Sequence, residues 1–287
     1  MSSMREIKTK ITATRKTSQI TKAMNMVSAS KLRKADKQVK MFRPLVKKVK
    51  DIVETVLSTN PDLQHPLLID RPIKKTGYIL VTSDRGLAGP YNSNVFKTFL
   101  RLIQEHPSSE DYFVGTIGYK AFSFCKRGKY PLINLESIPS RDEVQFLDFQ
   151  ALSKAFIQMY INGLVDKIVV IHSHYVNTLT HQITETVLLP ITDLKTNEKR
   201  AVSEYLFEPS AQEILNELLP IYLENTLYGI ILDAKASEHA SRMTAMKNAS
   251  DNAKDIITKL NRYYNRARQS AITKELTDII GGANAVS

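Results

Sequence analysis

A glycine-bracketed turn, two spaced histidines, one cysteine and a group of methionines are the residues of this sequence that could do chemistry. Gly86-Leu87-Ala88-Gly89 follows the strand-like run Tyr78–Thr82 and precedes a helix-like segment. Backbone amides at such a junction can cradle a phosphate. The GxGxxG spacing is absent, Pro90 removes a donor amide, and no GxxxxGK followed by Ser or Thr occurs, so no nucleotide site is expected. His172 and His174 lie two apart, on one face of a strand. Zinc needs further ligands, and no neighbouring carboxylate or cysteine in the sequence supplies them. Cys125 has Lys126 and Arg127 beside it, which favours a thiolate, but no companion base is evident. As the single cysteine it excludes an internal disulfide and a cysteine-based metal site, and fits a reducing compartment. Met24, Met26, Met243 and Met246 read as helix-face packing. No catalytic, cofactor-binding or metal-ligating residue is therefore expected.

The elements that must carry any function are set by glycine and proline. No glycine precedes Gly77, and only Pro44 interrupts the first 60 residues; no proline follows Pro220, and no glycine lies between Gly229 and Gly281. Both ends thus lack helix breakers. Leu32, Ala35, Val39, Phe42, Val46, Val49, Val53 and Val56 alternate steps of three and four, the spacing of a coiled-coil seam. Ile20, Met24 and Val27 extend it upstream, with a five-residue step to Leu32. Asn60-Pro61 is a stop. Met246, Ala249, Ala253, Ile256, Leu260, Tyr263 and Ala267 repeat the pattern at the other end, and Ser210 with Glu213 forms a capping box. At 1.5 Å per residue the two helices predict lengths of roughly 80 and 105 Å. Narrow apolar seams far apart in sequence are most simply buried against each other, antiparallel.

The middle alternates strands and helices: Tyr78–Thr82, a helix capped by Ser93, Tyr112–Ile117, a short helix at Tyr119–Lys126, a helix over about Val144–Asn162, then Lys167–Ile171 and an antiparallel neighbour at His181–Leu189. The expected fold class is α/β: two long terminal helices forming an antiparallel coiled coil, around a central Rossmann-like domain. The divisions are an N-terminal helix over 1–60, a linker over 61–76, an α/β domain over 77–209 and a C-terminal helix over 210–287.

The formal net charge is +11. Residues 1–60 hold 15 Lys and Arg against 4 Asp and Glu, while the rest holds 25 of each sign, so the whole excess sits on the first helix. Such a block implies an acidic partner. Nucleic acid is disfavoured, because Phe42 is the only aromatic residue among the first 60. No stretch is apolar for long enough to insert in a membrane, and the N-terminus has no secretory signal.

Several segments carry a resemblance. Ile20-Thr21-Lys22-Ala23-Met24-Asn25-Met26-Val27-Ser28-Ala29-Ser30-Lys31-Leu32-Arg33, Ser83-Asp84-Arg85-Gly86-Leu87-Ala88-Gly89, Ala236–Asn252 and Ala267–Ala283 resemble, in order, motifs of the gamma subunit of F-type ATP synthases. The resemblance, which spans the chain, implies a non-catalytic rotor of bacterial type. Its helices would stand inside an alpha3beta3 hexamer, and its α/β domain would contact the epsilon subunit and the c-ring of Fo at the cytoplasmic face of the membrane. Ion-driven rotation would then force conformational change on the catalytic beta subunits. By motif match, Met24, Arg33, Arg85 and Arg242 would contact alpha and beta subunits, and Gln269 and Thr273 would lie near the upper catch. Tyr205 and Glu208 would face epsilon and the c-ring, while the basic helix would face acidic levers of beta. A coiled-coil tether with an α/β interaction domain shares the helices without requiring the ordered motifs.

Overall fold

A computed structural model describes residues 4–177, 180–192, 194 and 207–286. Helix α1 (Met4–Thr59) opens the chain and α5 (Ala211–Val286) closes it. Pro44 and Pro220 lie inside these helices without ending them. Asn60 still donates to the Val56 carbonyl, and Pro61 cannot continue the ladder. At the start of α5, the Glu213 amide donates to Ser210 Oγ at 3.3 Å, half of the expected capping box. Two compact units result: Met1–Ser28 with Met243–Ser287, and Ala29–Arg242.

In the first unit the two helices pair antiparallel. Asn25 Nδ2 donates to the Met243 carbonyl at 2.7 Å, and Ser18 Oγ lies 3.5 Å from Ser250 Oγ. A step of seven down α1 thus matches a step of seven up α5, the heptad relation of a coiled coil. The expected seam holds at Met24, Met246, Ala249, Ala253, Leu260 and Ala267, which are buried or half-buried, and shifts at the other positions. Ile20 and Val27 are 60% and 53% exposed, whereas Ile7, Ile11, Thr21 and Ser28 are buried, with Thr14 and Ser18 partly so. On α5, Ile256 and Tyr263 face out, while Ile257 and Tyr264 turn inward. At Ile20, Val27, Ile256 and Tyr263 the buried position is the next residue along. Small hydroxyl residues let the backbones approach, and their hydroxyls are satisfied locally: Thr21 Oγ1 donates to the carbonyls of Thr17 and Ser18. With Ser28 in the seam, the five-residue step before Leu32 becomes a four.

The second unit is a three-layer sandwich. Strands β1 (Thr76–Val81), β2 (Tyr112–Ile117), β3 (Lys167–Tyr175) and β4 (His181–Leu189) form one sheet in the order β2-β1-β3-β4. β1 is parallel to both neighbours, and β4 is antiparallel to β3. Side chains alternate across the sheet. Tyr78, Leu80, Val169 and Ile171 pack under α2 (Tyr91–Ile103) and α3 (Tyr119–Gly128). Ile79, Val81, Ile168 and Val170 pack under α4 (Leu147–Ile161) with Val53 and Val56 of α1 and Leu215, Leu219 and Leu223 of α5. The α2 start differs from expectation: it begins at Tyr91, with Pro90 in the capping place, and Ser93 Oγ merely donates to the Pro90 carbonyl. Proline's fixed φ suits a helix start, and its missing N–H costs nothing there.

The Phe156 ring, 1% exposed, presses on two strand backbones. A Cβ at Gly115 would stand 2.5 Å from Phe156 Cε2, and one at Gly77 would stand 2.6 Å from Cε1. Gly115→Ala should therefore destabilise by about 1–3 kcal/mol through overpacking. Phe156→Leu in the same chain should relieve part of that loss. Urea titration of the two single variants and the double variant checks this; strictly additive losses would contradict it.

Candidate functional site

The loop Ser83–Gly89 leaves β1 and is fastened at four points. Ser83 N–H donates to Asn92 Oδ1 at 3.1 Å. Asp84 Oδ1 accepts from the amides of Tyr119 and Ser140 at 2.9 and 3.1 Å. Ser241 Oγ donates to the Ala88 carbonyl at 2.7 Å, and Arg242 Nη2 reaches the Gly86 carbonyl at 3.5 Å. Leu87 and Gly89 adopt left-handed backbone, φ 62° and 56°. A carboxylate thus caps the start of α3, and two of the loop carbonyls accept from α5. This geometry presents Arg85 and Leu87, both exposed, as a fixed knuckle.

Beneath the knuckle lies a buried ionic cluster. Lys235 Nζ donates to the Ser140 carbonyl at 2.6 Å and to Glu238 Oε2 at 2.8 Å; Arg242 Nη2 donates to Glu238 Oε1 at 2.7 Å. The side chains of Lys235, Glu238 and Arg242 are 3%, 4% and 12% exposed. Asp142 lies 3.3 Å from His239 Nε2 on one side and accepts from Lys31 Nζ at 2.6 Å on the other, and Glu143 accepts from Lys34 at 2.5 Å. The segment 140–143 is therefore clamped between α1 and α5. Burial raises the Asp142 pKa, but Lys31, Lys235 and His239 outweigh it and hold the carboxyl below its ordinary range. Burial holds His239 neutral, its pKa lowered to about 4.

The residues singled out from sequence fall in separate places. Arg85 and Arg242 come together at the knuckle, and Arg33 is exposed on α1 in the same unit. In the other unit Met24 is half-buried, while Gln269 and Thr273 are exposed on α5, joined by the Thr273 hydroxyl donating to the Gln269 carbonyl at 2.9 Å. Continuing the heptad register places Met4, the first described residue of α1, opposite Tyr264, and Gln269 and Thr273 lie further along α5. Ile272, Leu276, Ile279 and Ile280 are 48–68% exposed there, an apolar stripe at helical spacing. Glu208 is exposed, and Tyr205 lies outside the described residues.

Two sequence readings are corrected. Cys125 is fully buried, and burial pushes its thiol up to about 12, so its basic neighbours do not activate it. His174 does have a carboxylate, Asp233 of α5, at 2.7 Å from Nδ1, brought by the fold from 59 residues away. Among the described residues no group of three potential ligands forms a metal site. The Asp142–His239 and Ser140–Lys235 contacts were missed entirely; the only signal was the unusual run of charged residues in an otherwise buried stretch of α5.

A family model described as ATP synthase matches residues 3–286. The chain belongs to the gamma-subunit family of ATP synthase. Members of this family are non-catalytic, and this chain is a central rotor shaft of the rotary complex. Solved structures agree in fold. One chain of the Tetrahymena thermophila mitochondrial ATP synthase central stalk and c-ring is 25% identical, with TM-score 0.58 over 80% of this chain and 99% of that one. A chain of the Euglena gracilis mitochondrial ATP synthase rotor is 16% identical, with TM-score 0.60 over 94% and 98%. A chain of the Euglena gracilis OSCP/F1/c-ring assembly is 18% identical, with TM-score 0.64 over 99% and 94%.

Proposed function

We propose that this shaft transmits ion-driven rotation of a c-ring to the catalytic beta subunits of an alpha3beta3 hexamer. The observation that carries the reading is the far end of α5, which presents an exposed apolar stripe. Such a stripe is unfavourable in water and fits an apolar sleeve. Gln269 and Thr273 border it and serve as the catch. Arg33, Arg85 and the basic face of α1 meet acidic surfaces of the hexamer, with Met24 and Arg242 nearby in the same contact region. The knuckle suits this role because its backbone is anchored at both ends, so a force on Arg85 passes into α5 through Ser241 and Arg242.

Glu208, together with Tyr205, faces the epsilon subunit and the c-ring. The chain is held peripherally on the cytoplasmic face of a bacterial cell membrane. In support, no helix among the described residues is long and apolar enough to cross a membrane, and the cysteine insertion of the chloroplast form is missing. Replacing both Gln269 and Thr273 by tryptophan should lower the ATPase of the reconstituted complex several-fold, while the complex still purifies with one copy of this chain to three alpha and three beta subunits. Unchanged turnover would remove the catch assignment.

A further inference from the structure

A cavity of about 620 Å³ opens in the second unit between α1, the β3–β4 side of the sheet and α5. Its volume lies in the range of small-molecule sites. Val39, Phe42 and Val46 of α1 and Ile230 of α5 give it an apolar wall, and Arg43 and Lys47 stand exposed at its rim. Gly229 lines its floor, where a Cβ would meet Phe42 and Val46 at 3.9 Å, in ordinary contact.

Two lining residues each carry a polar atom that is shut off from solvent and lacks a hydrogen-bond partner. His172 is 4% exposed; its Nε2 lies 3.1 Å from Thr186 Oγ1, but its Nδ1 has no partner. Thr226 Oγ1, on α5, is likewise buried and unpartnered. Buried polar atoms without partners are costly. The one carboxylate in the lining, Asp233, is already engaged by His174 Nδ1 at 2.7 Å and by the Tyr175 amide at 3.3 Å. The open electrostatic demand of the cavity is for negative charge at the rim, where Arg43 and Lys47 stand exposed, and its interior takes an apolar body.

We propose that this cavity binds an amphipathic organic anion: an apolar chain or ring system bearing a carboxylate or phosphate. The body lies along Val39, Phe42, Val46 and Ile230. The anionic head meets Arg43 and Lys47. Such an anion could be free in solution or drawn from a bilayer, and the recognition chemistry is the same. This inference is independent of the rotor role.

The test titrates the full chain, carrying ¹³C-labelled methyl groups, with dodecanoate, and in a second arm with vesicles of phosphatidylcholine and phosphatidylglycerol. The expected result is saturable one-to-one binding that shifts the methyls of Thr184, Thr186 and Ile230; which arm gives it identifies the source. Gly229→Met, which fills the floor and is a better helix residue than glycine, should weaken binding about tenfold. Arg43→Gln with Lys47→Gln should do the same through the head group, and dodecanol should bind less well than dodecanoate. The absence of saturable shifts in both arms, or equal affinity in wild type and both variants, would overturn the proposal.

Discussion

Glu238→Ala is expected to destabilise the second unit by about 3–5 kcal/mol, the cost of leaving a buried charge without its partner. The carboxylate is shared: Oε2 accepts from Lys235 at 2.8 Å and Oε1 from Arg242 at 2.7 Å. Without it the Lys235 ammonium, 3% exposed, keeps only Ser140. Glu238→Gln retains an acceptor for one cation but no charge, and should fall between wild type and alanine. The double change Lys235→Met with Glu238→Leu removes the Lys235–Glu238 pair at similar volume and should recover the part of the loss owed to Lys235, Arg242 still being left without its carboxylate. Urea midpoints at constant slope read the series. If the alanine variant lost less than about 1 kcal/mol, the carboxylate would be behaving as a solvated surface ion pair. If the double variant were as unstable as the single, packing or the unpaired Arg242, rather than Lys235, would be the cause. The consequence reaches the knuckle, since Arg242 also touches the Gly86 carbonyl.

The long helices were legible because glycine and proline are missing from the ends and because apolar residues recur at heptad spacing. Their faces were less so. Ranking positions by hydrophobicity chose Ile20 and Val27, and Ile256 and Tyr263, whereas the interface takes Thr21 and Ser28, and Ile257 and Tyr264. A seam can drift by one residue when Ser, Thr and Ala allow closer approach, since proximity gains dispersion contact that the larger side chains would forgo. The sheet was easier to read: β3 carries the continuous apolar run Ile168–Ile171, as expected of a strand covered on both faces.

The candidate contact residues were legible only through resemblance, since an exposed Arg85 or Gln269 has no intramolecular pattern to betray it. The buried cluster was illegible for the opposite reason. Lys235 and Glu238 look like an ordinary helix-surface pair at i,i+3, and what makes them interior is Ser140, 95 residues away. Asp142 and Lys31 are separated by 111 residues. Chain separation of that kind leaves no local spacing to read, so the linkage between α1, the segment before α4 and α5 emerges only in three dimensions.

Acidification should unfold the second unit through two histidines. His172 and His239 are buried, and burial lowers the pKa of each from 6.5 to about 4. Between those values the unfolded chain binds protons that the folded chain does not, so stability falls as pH falls from 6.5 towards 4. A shift of that size corresponds to roughly 3 kcal/mol for each residue. The groups facing them set the balance. Glu238 and Asp142 favour a proton on His239, while Lys235 and Arg242 oppose it. His174 opposes a proton on His172. Asp233 works in the other direction: burial raises its pKa against the pull of His174, so the folded state gains a proton there as pH drops and part of the loss is offset. Asp142 and Asp166 are held below the ordinary carboxylate range, and their loss comes later, as pH falls past that range. Urea midpoints at pH 7, 5.5 and 4.5 should therefore decline by several kcal/mol in wild type. His239→Asn and His172→Gln should each be less stable at pH 7 yet show a flatter decline, each losing about 3 kcal/mol less across the window. A wild-type stability that stayed level from pH 6.5 to 4.5, or two variants with the wild-type slope, would mean that both imidazoles reach water freely enough to titrate in place.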